Sequence, residues 1–155
     1  MTIRRLKKTE NPPMDLLLDA DPSRRIVEEY LKRGECYVAE IDGRVIGVYV
    51  LLPTRPETVE LVNIAVAPEY RNRGIGKQLV LDAIETAKKQ GYRIIEVGTG
   101  NSSIGPLMLY QKCGFRITGV DIDFFTRHYP EEIMENGIPC RDMIRLALDL
   151  DAQKT

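Results

Sequence analysis

Apolar and polar positions change period several times along the chain. Ile75, Leu79, Val80, Ala83, Ile84 and Ala87 recur at helical spacing, so Ile75 to Gln90 predicts an amphipathic helix closed by Gly91. Two β-rich runs, Cys36 to Ile41 and Arg44 to Leu52, flank Asp42-Gly43, which predicts a hairpin with a type I′ turn. Thr58 to Val66 and Tyr92 to Gly98 read as strands on either side of the long helix, and strand-helix-strand of this length implies a parallel crossover. Upstream, Ile3 to Lys7 reads as a first strand, followed by a break at Asn11-Pro12-Pro13. Two helices then follow, Met14 to Ala20 and Ser23 to Lys32. Asp21-Pro22 starts the second and Gly34 stops it. Pro53 to Glu57 is expected to be a loop. Downstream, Ser103 to Cys113 predicts a short helix with Pro106 in its first turn, and Phe115 to Phe125 and Met143 to Leu150 predict the last strands. Thr126 to Asp142 between them is expected to be a loop with one helical turn. The class is α/β (α+β), one domain over residues 1–155, a mixed sheet with helices packed on it.

Composition narrows this picture. A chain of 155 residues buries roughly 68–70% of its unfolded surface and folds without disulfides or metal. Lys and Arg number 22 against 23 Asp and Glu, so no global charge attracts nucleic acid or an anionic membrane. The longest apolar run, Val45 to Leu52, is strand-sized and too short for a bilayer. The N-terminus carries charge but no apolar core of the kind a secretory signal needs. Cys36, Cys113 and Cys140 contain no C-x-x-C pair, and His128 is the single histidine, which argues against a zinc site or disulfide framework. A reducing cytoplasm is the expected location.

The chemistry-bearing stretch is Val62 to Lys77. An apolar strand ends, a short loop follows, and Arg71-x-x-Gly74-x-Gly76 opens the long helix. The first turn of a helix offers N–H groups without intrahelical partners and a dipole that favours an anion. Gly74 and Gly76 lack a Cβ, and Arg71, Arg73 and Lys77 add local charge. A Walker A loop does not fit, because Gln78 follows Gly76-Lys77 and the first glycine is missing. The dinucleotide fingerprint lacks its third small residue, with Leu79 there instead.

R-x-x-G-x-G after a strand resembles motif A of the GNAT superfamily, the GCN5-related N-acetyltransferases. Asn101 followed by Leu109-Tyr110-Gln111-Lys112-Cys113-Gly114-Phe115 resembles their motif B. The hairpin and the strand-helix-strand order agree over about residues 1–150. The resemblance implies a mixed, mostly antiparallel sheet of six to seven strands with a central β-α-β crossover. It implies acetyl-CoA as cosubstrate, no metal, and transfer of the acetyl group to a small-molecule or peptide amine. By that resemblance the backbone of Arg73, Gly74, Gly76 and Lys77 holds the pyrophosphate, with Arg71 assisting. The backbone of Ile64 and Val66 pairs with the pantetheine arm where the sheet splays, Asn101 sits by the arm's amides, and Tyr110 sits by the sulfur. A homodimer is common in that family.

Chemistry adds two roles. An alkyl ammonium, with a pKa of about 10.4, must lose a proton before it attacks a thioester, and the leaving thiolate benefits from a proton donor. Tyr110 carries a phenol suited to the donor's task; otherwise it is a half-buried helix tyrosine. Glu60, eleven residues before Arg71, is the favoured base, and strand alternation would put it on a face with Val62, Ile64 and Val66. A solvated or substrate-orienting carboxylate is the competing role for Glu60, and His128 is the other candidate base. Between Asp121 and Asp142 six acids face two bases; the resemblance implies that this insert lines the acceptor side, where an acidic wall would favour small cationic amines, with a solvated acidic loop as the competing reading. A non-catalytic acyl-CoA-binding protein of the same fold is the alternative.

Overall fold

At the hairpin both turn residues lie in the left-handed region, Asp42 at φ 51° and Gly43 at φ 77°, as a type I′ turn requires. The sequence predicts a frayed tail over Asp151 to Thr155; the computed structural model describes residues 1–151, so all of that tail but Asp151 lies outside the described residues. The turn joins β2 (Glu35–Ile41) to β3 (Arg44–Arg55). The loop expected from Pro53 is instead the end of β3, whose pairing with β4 (Thr58–Val66) runs on to Arg55 opposite Thr58. Only Pro56 and Glu57 turn the chain, with Glu57 at φ 62°. Proline at position 53 is tolerated because this pairing is interrupted there by a register shift.

Helix α1 (Met14–Ala20) and helix α2 (Arg24–Arg33) precede the hairpin. Ser23 caps α2 rather than joining it, its hydroxyl accepting from the Ile26 amide at 3.3 Å. After β4 a single 3₁₀ turn (Pro68–Tyr70) leads into α3 (Ile75–Lys89). All six apolar residues expected on its inner face are buried. Tyr49 of β3 reaches α3, its hydroxyl donating to Asp82 at 2.7 Å, and Leu79 packs over Gly47. Truncating a fully buried leucine such as Leu79 costs about 2–5 kcal/mol.

Strand β5 (Ile94–Gly100) pairs in parallel with β4, the one parallel pairing of the sheet. Helix α4 (Ile104–Lys112) and β6 (Arg116–Asp121) follow. The expected strand to Phe125 ends at Asp121, because Asp123 takes φ 61° and Phe124–His128 coil into a short helix, α5. The insert also holds a two-residue hairpin, β7 (Met134–Glu135) with β8 (Ile138–Pro139). β9 (Met143–Asp149) then enters between β5 and β6, giving the order β1-β2-β3-β4-β5-β9-β6, with β1 at Thr2–Arg5.

Candidate active site

β4 and β5 pair only from Thr58 with Ile94 to Leu61 with Val97. Beyond that point β5 stays with β9 through Gly100, while β4 stays with β3 through Val66. The sheet therefore splits, and a cleft of about 880 Å³ opens along residues 61–66 on one side and 98–100 on the other. The unpaired edge of β4 offers its backbone groups to an extended ligand as another strand would. Ile64 and Val66, the residues that the resemblance assigns to the pantetheine arm, belong to this part of β4, and both line the cleft.

One end of the cleft meets the N-terminus of α3, where Gly74, Ile75 and Gly76 form the wall. Asn72 and Gly74 both take positive φ, 62° and 78°, the kind of backbone conformation that builds anion-binding concavities. No side chain caps this helix, and a Cβ on Gly76 would meet only Leu109 at 3.7 Å. Uncapped amides beside a small-residue floor suit a pyrophosphate. Two of the loop's three cations stand further back. Arg73 lies over the Tyr70 ring at 5.1 Å, and neither it nor the exposed Lys77 lines the cleft. Arg71 does line it, but its guanidinium holds Asp19 of α1 and donates to the Val66 carbonyl at 3.2 Å.

Tyr110 lines the cleft, packed edge-on against Phe115 at 5.9 Å. Its hydroxyl has no hydrogen-bond partner among the described residues, and burial, with a smaller contribution from Cys113, pushes its pKa up to about 12. The phenol is thus a neutral donor at neutral pH, free to serve a ligand. Burial also raises all three thiols, Cys36 to about 12, so none is an activated nucleophile.

Glu60 needs a correction. Glu60 pairs with Leu52 and Asn63 with Val50, while Val62 is the extra residue of a bulge. Leu52 and Val50 are two apart, so Glu60 shares its face with Asn63, not with Val62, Ile64 and Val66. Asn63 points to α1 and α2, donating to the Leu17 carbonyl at 3.1 Å and the Tyr30 hydroxyl at 2.7 Å. Ile64 lies opposite Tyr49, on the α3 face. Glu60 therefore faces away from α3, beside its register partner Glu96. Burial raises its pKa, Arg145 lowers it, and Glu96 and Asp121 raise it further. The carboxyl does not itself line the cleft. Met143, whose sulfur a Cβ on Gly98 would meet at 2.5 Å, borders the cleft on that side.

Asn101 is also corrected. Its amide donates to the Pro139 carbonyl at 3.1 Å, and its Oδ1 accepts from the Arg141 and Asp142 amides at 2.8 and 3.0 Å. Those bonds pin the insert to the end of β5 and take the side chain away from the cleft, which it does not line. His128 is exposed, stacks near Phe124 and lies off the cleft.

The acidic wall is smaller than the insert's composition implies. Of its six acids only Glu135 lines the cleft, accepting from Ser103 Oγ at 3.0 Å; Asp121 pairs with Arg145 and Asp142 accepts from the Asp123 amide. The opposing acids are Asp19 and Asp21, at the end of α1 and just after it. Sequence reasoning read Asp21 only as a helix start and left Asn63 unremarked. The signal was present, since a lone amide inside an apolar strand must find partners or a ligand.

Comparison with known proteins fits this geometry. Residues 3–115 match the model of the acetyltransferase (GNAT) family. The chain is 65% identical over 144 residues to the uncharacterized N-acetyltransferase YvbK of Bacillus subtilis, covering 93% of each. Among solved structures, an IAA acetyltransferase from Bacillus cereus superposes with TM-score 0.92 at 59% identity, covering 96% of this chain and 98% of that one. A GNAT family acetyltransferase from Elizabethkingia anophelis with acetyl-CoA bound gives TM-score 0.94 at 50% identity, covering 96% and 97%. A β4–β5 split, an uncapped helix and an unpaired phenol in one cleft thus accompany close sequence likeness over nearly the whole chain, and the protein belongs to the acetyltransferase (GNAT) family.

Proposed function

We propose that this acetyl-CoA-dependent acyltransferase moves the acetyl group to a primary amine by direct attack in a ternary complex, and that the acceptor is a small cationic amine. The observation that carries this reading is the unpaired Tyr110 phenol in a cleft that the N-terminus of α3 also lines. The amides of Gly74, Gly76 and their neighbours hold the pyrophosphate, with Arg71 exchanging Asp19 for a phosphate oxygen. The β4 edge at Ile64 and Val66 takes the pantetheine arm. The acceptor enters from the Asp21 side, where its ammonium loses a proton, through one water, to Glu60, whose raised pKa suits a base. The nitrogen then attacks the thioester carbonyl carbon, the carbon–sulfur bond breaks, and the departing thiolate takes the Tyr110 proton. The second nitrogen proton leaves through solvent and restores the phenol. Thiols raised by burial support direct transfer over an acyl-cysteine relay. The single 1–155 unit acts in the cytoplasm, alone or as a homodimer; among the described residues no helix is long and apolar enough to cross a membrane.

A panel of amines with acetyl-CoA, read by free thiol, tests the proposal. Release above the amine-free rate for cationic amines supports it. Tight acetyl-CoA binding with no amine-dependent release from any of them overturns it in favour of a binding protein.

A further inference from the structure

At the acceptor end of the cleft four side chains from distant parts of the chain form one network. Asn63 Nδ2 donates to the Leu17 carbonyl and to Tyr30 Oη. Tyr30 Oη in turn donates to Asp21 Oδ2 at 3.4 Å. From the insert, Tyr129 donates to Asp21 Oδ1 at 2.8 Å, a contact that spans 108 residues. The Ser23 amide reaches the same Oδ1 at 3.2 Å. Every side-chain donor of this network is thereby spent inward. Burial, and then the Asp21 charge, push both phenols well above the usual tyrosine range, so they remain protonated donors.

The groups left over are acceptors. The Leu17 carbonyl can only accept, so the Asn63 amide is fixed with its nitrogen toward α1 and its oxygen spare. That Oδ1 is buried without a partner in a residue only 4% exposed that lines the cleft. Asp21 also lines the cleft, and its two oxygens offer about four lone pairs, of which three are used. Across the gap Glu135 lines the same space. A surface of unspent acceptors with negative charge selects a ligand made of donors with positive charge.

Resting on the acetyltransferase reading, we infer that Asp21, with Asn63 Oδ1, is the recognition site for a second cationic group of the acceptor, and that Tyr129 is its resting stand-in. The acceptor is then a diamine or an amine with a basic tail. One ammonium is acetylated while the other binds at Asp21, taking the spare lone pair and displacing the Tyr129 hydroxyl. Tyr129 competes with the substrate, so the contact that ties the insert to α2's start also sets the acceptor's affinity. Asp21 acts on binding and takes no proton in the reaction.

The test uses putrescine, the amino alcohol of the same length, and γ-aminobutyrate, with the full chain and saturating acetyl-CoA. Asp21→Asn is expected to raise KM for putrescine about 10–100-fold, with KM for the amino alcohol and for acetyl-CoA within about twofold. Tyr129→Phe is expected to lower the putrescine KM a few-fold, a direction that a purely structural tie does not give. Calorimetric binding of putrescine to the CoA complex provides a readout without turnover. Binding to the wild type that is lost in Asp21→Asn supports the site even if no acetyl transfer occurs, which would instead sink the acetyltransferase reading. If Asp21→Asn melts early, the Tyr129→Phe result decides. An unchanged putrescine-to-alcohol ratio in Asp21→Asn, or a raised putrescine KM in Tyr129→Phe, overturns the inference.

Discussion

The two ends of the cleft are built by different means. Around the α3 N-terminus, where we place the pyrophosphate, the lining comes from one stretch, Asn72 and Gly74 to Gly76, shaped by two positive-φ residues with no side-chain cap. On the side where we place the acceptor, the walls are side chains from α1's end, β4 and the insert, joined by hydrogen bonds over as many as 108 residues. A backbone cradle needs only glycines and a helix start, so it tolerates change around it and suits a ligand that never varies. A side-chain wall depends on each residue and can be altered one substitution at a time. On the proposed reading, the half of the reaction common to every acceptor would rest on local structure, and the selective half on long-range structure.

Substitutions can break this contrast, beginning with the group between the two ends. Tyr110→Phe is expected to lower turnover by about 10²–10⁴-fold while CoA binding, measured by calorimetry, stays near wild type. A wild-type rate would return Tyr110 to packing alone. Glu60→Gln is expected to cost about 10²-fold in kcat/KM at neutral pH and to remove the acidic limb of the pH–rate profile. That limb is expected to be displaced upward from an ordinary glutamate's, because burial raises the Glu60 pKa. The same shift has a stability sign. A carboxyl raised on folding holds its proton more tightly in the native state, so stability falls as pH rises from the unfolded value through the folded one. Glu60→Gln should accordingly raise the neutral-pH Tm while slowing the reaction, and a lowered Tm would contradict the burial argument.

Gly74→Val probes the backbone end. A Cβ there meets no atom within 4 Å, but φ 78° costs a branched residue roughly 1–2 kcal/mol, so CoA affinity should fall about tenfold through a reshaped loop. Equal CoA affinity in a folded variant would remove the loop from the phosphate site. The smallest effect is expected at Asp19→Asn, which frees Arg71 from an exposed ion pair and should tighten CoA binding by about two- to fivefold. Weaker binding would mean that the pair preorganises Arg71 rather than occupying it.

The same contrast explains what could be read from the sequence. Asp42-Gly43, the α3 apolar stripe and Arg71-x-x-Gly74-x-Gly76 announce themselves because their causes are local: a turn conformation, a period and a helix start. The Val62 bulge leaves no such mark. It depends on how β3 and β4 align, and it reverses which residues accompany Glu60. Asn101 matches a motif by position, yet its amide is claimed by the insert, whose path no periodicity predicts. The Asp19–Arg71 and Asp21–Tyr129 contacts join residues with nothing in common but their final positions.

The strand order has a consequence for the chain as it is made. β9 is last in sequence among the strands but lies inside the sheet, between β5 and β6. Until residues 143–149 leave the ribosome, both neighbours present bare edges, and Leu146 and Leu148 have yet to supply their part of the core. The nascent protein thus passes through a stage in which motif A is complete but the sheet is open beside it. During synthesis, the edge of β5 is where a second nascent chain would dock by mistake.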